Sequence, residues 1–260
     1  MAYTTIDDPS AHFQTKIYTG NATDNTAYTN DGNSDLQPDF IWTKNRDQTV
    51  DHIWFDSTRG ATKNVRSNTT SQESTNSNYL KSFDSDGFTM GTSNRVNGNT
   101  DQMVAWQWKA NGGTTSSNSD GSITSTVQAN TTAGFSIITY TGTGSAATIG
   151  HGLGSAPEVV IVKSRSQGYS WIVYHKAAAS DAHTDYLGLD DTDALTDFPM
   201  WNDTAPTSTV FSVGTDVAVN NNTKNYVAYC FDEKQGYSKF GSYTGNDATD
   251  GPFVYLGFKP

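Results

Sequence analysis

With 260 residues, a net charge of −11 and one cysteine, the chain is long enough for one large β domain or two ordinary ones. It is too acidic for non-specific binding to nucleic acid or to anionic membranes. Only 34% of its residues are hydrophobic and 17% charged, so Asn, Ser, Thr, Asp and Gly fill the balance, as in an all-β protein with long polar loops.

In chain order, residues 1–14 read as an N-terminal arm whose Asp8-Pro9 signals a short helix, with Phe13 anchoring it to the first domain or to another subunit. Met1–Thr4 lacks the basic and apolar regions of a secretory signal, no apolar run approaches the roughly 18 residues of a membrane helix, and the expectation is no membrane insertion. A first β-sandwich unit is predicted over 15–110. Within it Pro38–Arg46 reads as a strand and His52–Asp56 as its hairpin partner, while residues 57–78 form a long polar excursion, functional or disordered. The Asp84-Ser85-Asp86-Gly87 run resembles the start of a calcium loop but has Arg95 where the closing Glu belongs, and so reads as a turn. Gly87–Lys109 is predicted as a β-hairpin whose returning strand puts Val104, Trp106 and Trp108 on the core face, with a sugar-stacking platform as the alternative.

Residues 111–122, rich in Gly, Ser, Thr and Asn, are predicted as the linker at the domain boundary, and 123–236 as a second unit. The second unit repeats the first. Phe88 and Phe211 align at 211 − 88 = 123, and both copies continue through Gly-Thr, Val-Asn-x-Asn-Thr and Val-Ala to paired aromatics, Trp106/Trp108 against Tyr229/Phe231. Tyr18-Thr19-Gly20 returns as Tyr140-Thr141-Gly142, and Pro38–Arg46 as Pro157–Arg165, followed by Trp171–His175. Lys44, Arg46, Lys163 and Arg165 lie at strand ends and read as solvated stems or edge protection, with anion binding as the alternative. Cys230 points away from Tyr229 and Phe231 and has no partner for a disulfide within the chain.

The excursion at 177–206 differs from its counterpart and carries Asp190, Asp191, Asp193, Asp197, Met200 and Trp201. Loops that differ on a common frame are where binding specificity is expected. Trp201 beside these acids reads two ways, as a carbohydrate contact or as a side chain folded back over its own loop. Residues 237–260 begin a third unit, since Tyr243-Thr244-Gly245 repeats the earlier motif and Phe253–Phe258 is apolar on both faces of a predicted strand. The frame predicts continuation past Pro260, with strand sharing between subunits as the alternative.

No catalytic residue, metal site or cofactor is predicted. The five histidines lack metal-ligand spacing, neither His-Glu-x-x-His nor Gly-x-Ser-x-Gly occurs, and Gly142-Thr143-Gly144 has no following helix. Acid pairs in the loops leave a glycosidase open by residue type alone.

The runs MAYTTIDDPSAHFQTKIYTGN, PDFIWTKNR, DSTRG at Asp56–Gly60, SFDSDGFTMGT, VAWQWKANGG, GLGSAPEVVIVKSR and NYVAYCFDEKQGYSKFGSYTGN resemble a repeated domain of unassigned function. That domain is common in predicted structural proteins of marine bacteriophages. The resemblance covers nearly the whole chain and brings no catalytic residues. It implies an all-β fold of tandem antiparallel β-sandwiches of jelly-roll or concanavalin type, and a component of the virion surface synthesised in the host cytoplasm. The leading expectation is a non-enzymatic tail fibre or appendage, a homotrimer that contacts other virion proteins and presents loops to a host-surface glycan or protein. A capsid decoration or head-appendage protein is the alternative, followed by a polysaccharide-degrading enzyme.

Overall fold

Pro9 pre-sets the backbone of a helical turn, and Asp8 accepts a hydrogen bond from the Ser10 amide at 3.0 Å, so the chain opens on the expected short helix, Pro9–Ala11. The computed structural model describes residues 3–259. The strands that follow are β1 (Phe13–Thr19), β2 (Thr26–Tyr28), β3 (Phe40–Asn45), β4 (Ile53–Asp56), β5 (Lys63–Arg66), β6 (Ser74–Thr75), β7 (Leu80–Asp84) and β8 (Gly87–Met90). A single helical turn, α1 (Asn94–Asn97), leads to β9 (Gln102–Trp108), β10 (Ser116–Asn118), β11 (Ser125–Asn130), β12 (Phe135–Thr141) and β13 (Ala147–Gly150). The rest are β14 (Val159–Ser164), β15 (Ile172–His175), β16 (Asp185–Gly188), β17 (Thr196–Asp197), β18 (Val210–Val213), the turn α2 (Val217–Asn220) and β19 (Asn225–Phe231).

The fold is all-β and sandwich-like, built from antiparallel sheets. One large sheet runs β1-β9-β3-β4-β5-β6 and the other β10-β11-β12-β19-β14-β15-β16-β17; two small sheets, β2-β8-β7 and β13-β18, complete it. Strands at the repeat offsets hold corresponding places: β9 lies between β1 and β3, as β19 lies between β12 and β14. The predicted hairpins β3–β4 and β14–β15 form, pairing Phe40 with Asp56 and Val159 with His175.

Side chains alternate along each central strand and are buried on both faces. Ile41, Phe55, Met103 and Ala105 face the β2-β8-β7 sheet and meet Leu80, Phe88 and Met90. Tyr140, Val160, Tyr226 and Cys230 meet Ile149, Phe211 and Val213 of β13 and β18 in the same way. Between the large sheets, Phe40, Trp54 and Val65 pack against Phe135, Ile137, Trp171, Val227 and Tyr229. This third core is an aromatic seam, with ring centroids 4.8 Å apart for Phe40 and Tyr229 and 4.7 Å for Trp54 and Trp171.

Several expectations are corrected. Gly87–Lys109 is not a hairpin, because β8 and β9 belong to different sheets joined through α1. Ser93 caps α1, Val96 is buried, and the buried Asn97 donates to the Gly91 and Thr23 carbonyls at 2.8 and 3.0 Å. Asn220 in α2 donates likewise to the Gly214 carbonyl at 2.8 Å, and Tyr18 and Tyr140 donate their hydroxyls to the carbonyls of Val96 and Val219 at 2.7 and 2.6 Å. The recurring Val-Asn-x-Asn-Thr and Tyr-Thr-Gly runs therefore build the corner that carries the chain between layers. The Val104, Trp106 and Trp108 face is a core face as expected, turned to the seam: Val104 is buried, Trp108 packs on the third core and Trp106 against Trp42 at 5.3 Å, both indoles half-buried.

Residues 111–122 are held in place. Asp39 accepts from the backbone amides of Ala110, Gly112 and Gly113 at 2.7 to 2.8 Å, and β10 follows. The excursions at 57–78 and 177–206 carry strands β5, β6, β16 and β17. The predicted strand at Phe253–Phe258 does not form; residues 239–259 contain no strand, and Phe253 is 90% exposed. Asp84–Gly87 is the turn of the β7–β8 hairpin, as expected.

Candidate functional site

The seam opens at one end into a cavity of about 400 Å³. Alternation along β3, β4 and β9 aims Trp42, Trp54 and Trp108 at it from one sheet, and Phe135, Ile161 and Phe231 line it from the other. The indole Nε1 atoms of Trp42 and Trp54 are buried and have no hydrogen-bond partner among the described residues. Polar groups sit at the rim, where Asp232 accepts from Lys234 at 2.6 Å and Lys239 donates to Glu233 at 2.7 Å. Tyr237, Phe240 and Phe258 from the C-terminal segment complete the lip.

A chain of charged groups also crosses the seam. Arg59, in the turn after β4, is fully buried and donates from Nε to Asp56 at 2.5 Å, from one terminal nitrogen to Glu73 at 3.1 Å and from the other to the Tyr229 hydroxyl at 3.2 Å. Tyr229 donates in turn to Asp56 at 2.7 Å, and Arg165 grips both Glu73 oxygens at 2.8 and 3.1 Å. Burial by itself disfavours the Arg59 guanidinium, but Asp56, Tyr229 and Glu73 outweigh it and hold the charge. Burial opposes the Glu73 carboxylate too, and Arg165 and Arg59 keep its pKa below the usual value. Burial raises the Tyr229 pKa well above 10, so its hydroxyl stays a donor.

Lys163 completes the crossing. Its side chain is 0% exposed, and its ammonium donates to the Thr70 carbonyl at 2.8 Å and to that of Tyr169, 5.6 Å from the Trp171 ring centre. Burial pushes its pKa down to about 8 against the opposing charge of Asp190. The reading of Lys163 as a solvated stem is thereby corrected, and Arg165 is an ion-pair partner and not an edge guard. Each of these shifted groups is bonded to another segment of the fold.

The residues singled out in the 177–206 loop do not assemble into one surface. Trp201 is 1% exposed, donates Nε1 to the Asp185 carbonyl at 3.0 Å and packs against Tyr174, so it is not a carbohydrate contact; Met200 is buried beside it. Asp190 is half-buried and accepts from the Trp171 amide at 2.9 Å, inside the fold's own bonding. Asp191, Asp193 and Asp197 are exposed, with Asp191 accepting from the Asp193 amide at 3.1 Å. Sequence reasoning missed Asp56, Arg59, Glu73, Arg165 and Tyr229 as a bonded set. The DSTRG run carried a signal, since an acid and an arginine three residues apart across a turn can pair. Among the described residues no group of three or more His, Cys, Asp or Glu stands close enough to hold a metal ion.

Fold and seam define an all-β, sandwich-like protein whose two large sheets are tied face to face by aromatic rings and buried charge. The chain belongs to the family described as Domain of unknown function (DUF7483), which matches residues 8–260. No curated protein and no solved structure matches it.

Proposed function

We propose that the chain is a non-enzymatic structural protein of a bacteriophage virion, a tail fibre or appendage made of tandem antiparallel β-sandwich units of jelly-roll or concanavalin type. The observation that carries the structural reading is the seam. Asp56, Arg59, Glu73, Lys163 and Arg165, the most strongly charged buried groups, are bonded to each other, to Tyr229 or to backbone and so tie the two large sheets together, which supports a structural role. The phage assignment rests on the resemblance of the motifs quoted above. In this reading the exposed Asp191, Asp193 and Asp197 loop faces the host-surface glycan or protein, and the protein works as a homotrimer among other virion proteins.

Antibody raised against the purified chain and applied to phage particles tests this directly. Labelling confined to the tail supports an appendage. Uniform labelling of the head, with hundreds of copies in icosahedral order, overturns it in favour of capsid decoration.

A further inference from the structure

Corresponding strands of the two large sheets bury opposite halves of the same face. Across β1, β9, β3, β4 and β5, the residues Thr15, Trp106, Trp42, Trp54 and Val65 stand in one cross-strand row. The corresponding strands β12, β19, β14, β15 and β16 align Ile137, Tyr229, Ile161, Val173 and Leu187. The seam packs the β4-β5 half of the first row on the β12-β19 half of the second, so Trp54, Val65, Ile137 and Tyr229 are buried. The remaining halves stay open. Thr15 is exposed, Trp106 is half-buried, and Ile17, two residues along β1 on the same face, is 59% exposed. At the far end of the second row Leu187 is only half-buried. By place in the sheet, β1 and β9 answer to β12 and β19, and β16 to β5, so the open halves are the same kind of pair that the seam joins.

Charge agrees with this pairing. Asp185 and Asp197 stand directly opposite each other on β16 and β17, on the face of Leu187, and among the described residues neither is in an ion pair. Like charges so placed repel. Lys44, opposite Val104 on the open side of the first row, bonds only to the Gln48 and Val50 carbonyls, and the exposed Arg46 follows it. We infer that the open half of β1 and β9 docks a second copy of this chain, which presents its open half of β15 and β16, so that copies join head to tail as the two sheets join within one. One patch meets a different patch, and such a contact closes a ring or runs on as a filament. A ring of three is the homotrimer proposed above, but the interface follows from strand packing and not from the virion assignment, which antibody labelling tests separately.

Sedimentation velocity of the full chain over a wide concentration range should show self-association. Ile17→Asp, at an exposed site, should leave the thermal midpoint unchanged and weaken association at least about tenfold, as loss of a central interface contact does. Leu187→Lys should do the same from the other surface, and the exposed Asp197→Arg takes its place if Leu187→Lys does not fold. Mixing a variant of each surface leaves one intact pair of patches and should restore a dimer that grows no further, which a self-complementary interface cannot give. The interface is overturned if the unaltered chain is monomeric throughout, if a folded variant of either surface associates as before, or if the mixed variants stay monomeric.

Discussion

The two long excursions leave the same place in the frame, after β4 and after β15, yet they bury different things in different directions. Residues 57–78 reach across the seam: Arg59 binds Tyr229, Glu73 binds Arg165, the Thr70 carbonyl receives Lys163, and the Arg66 carbonyl receives the Trp171 indole at 2.8 Å. Residues 177–206 instead fold back, placing Ala182, Met200 and Trp201 in the core shared with β13 and β18. A polar excursion has unmet donors and acceptors that only a distant partner can satisfy, whereas an excursion with its own apolar plug closes on the nearest core. The first loop therefore joins the large sheets to each other, and the second seals one of them.

Breaking each loop at its anchor should show the difference most strongly. Arg59→Met leaves the Asp56 carboxylate buried without its cation and is expected to cost about 3–5 kcal/mol, read from denaturant unfolding. Trp201→Ala should cost a similar 3–5 kcal/mol through the void it leaves. Hydrogen exchange separates the two. The Arg59 variant should lose protection in β3, β4, β14 and β19 together, while the Trp201 variant should lose it around β16, β17 and β18 and keep the seam intact. Equal loss across both regions would mean that the loops are not independent.

Much of this was legible in the residues. Period-two alternation and leading prolines located β3, β4, β14 and β15, and the matched frames at Phe88 and Phe211 located β8 and β18, because those signals report local backbone geometry. Alternation tells which side chains share a face but not which sheet that face meets, so β8 and β9 read as a hairpin when they lie in separate layers. By the same limit, alternation shows that the Trp106 and Trp108 face is core but not that this core lies between the two large sheets. Lys163 was misread because lysine is almost always solvated and its partner, the Thr70 carbonyl, is 93 residues away. Trp201 fitted two readings equally well, since a tryptophan's composition of one loop does not reveal whether that loop closes on itself.

A smaller effect comes from Lys163, where the first loop's hold on the second sheet depends on protonation. Its folded pKa near 8 lies below the ordinary 10.5, so between those values the unfolded chain keeps a proton that the folded chain has released. The Lys163 contribution to stability should therefore rise with pH across that window, by about 1–3 kcal/mol, with the charged amine a cost below pH 8, while the Cys230 thiol, whose pKa burial raises, opposes it from about pH 9 upward. The buried tyrosines Tyr18, Tyr140 and Tyr229, whose pKa values burial raises well above 10, oppose the trend only from about pH 10 upward. Lys163→Met should flatten the slope between pH 8 and 9.5 whatever it does to stability at neutral pH; an unchanged slope would assign the effect to other groups.

The smallest expected effects lie at the tip of the second loop. Asp191 and Asp193 are exposed and bond only within the turn, so Asp191→Ala and Asp193→Ala should each change stability by less than about 0.5 kcal/mol. Asp190→Ala should cost about 1 kcal/mol or more, since the Trp171 amide loses its acceptor beside the seam. Exchanging the whole of 177–206 would remove Met200 and Trp201 from the core, so a test of host contact must confine itself to 191–197. Such a narrow exchange should leave the thermal midpoint in place and alter adsorption of particles to host cells. A midpoint that falls with the exchange would show that the tip, too, supports the fold, and that the second loop resembles the first more closely than its bonding implies.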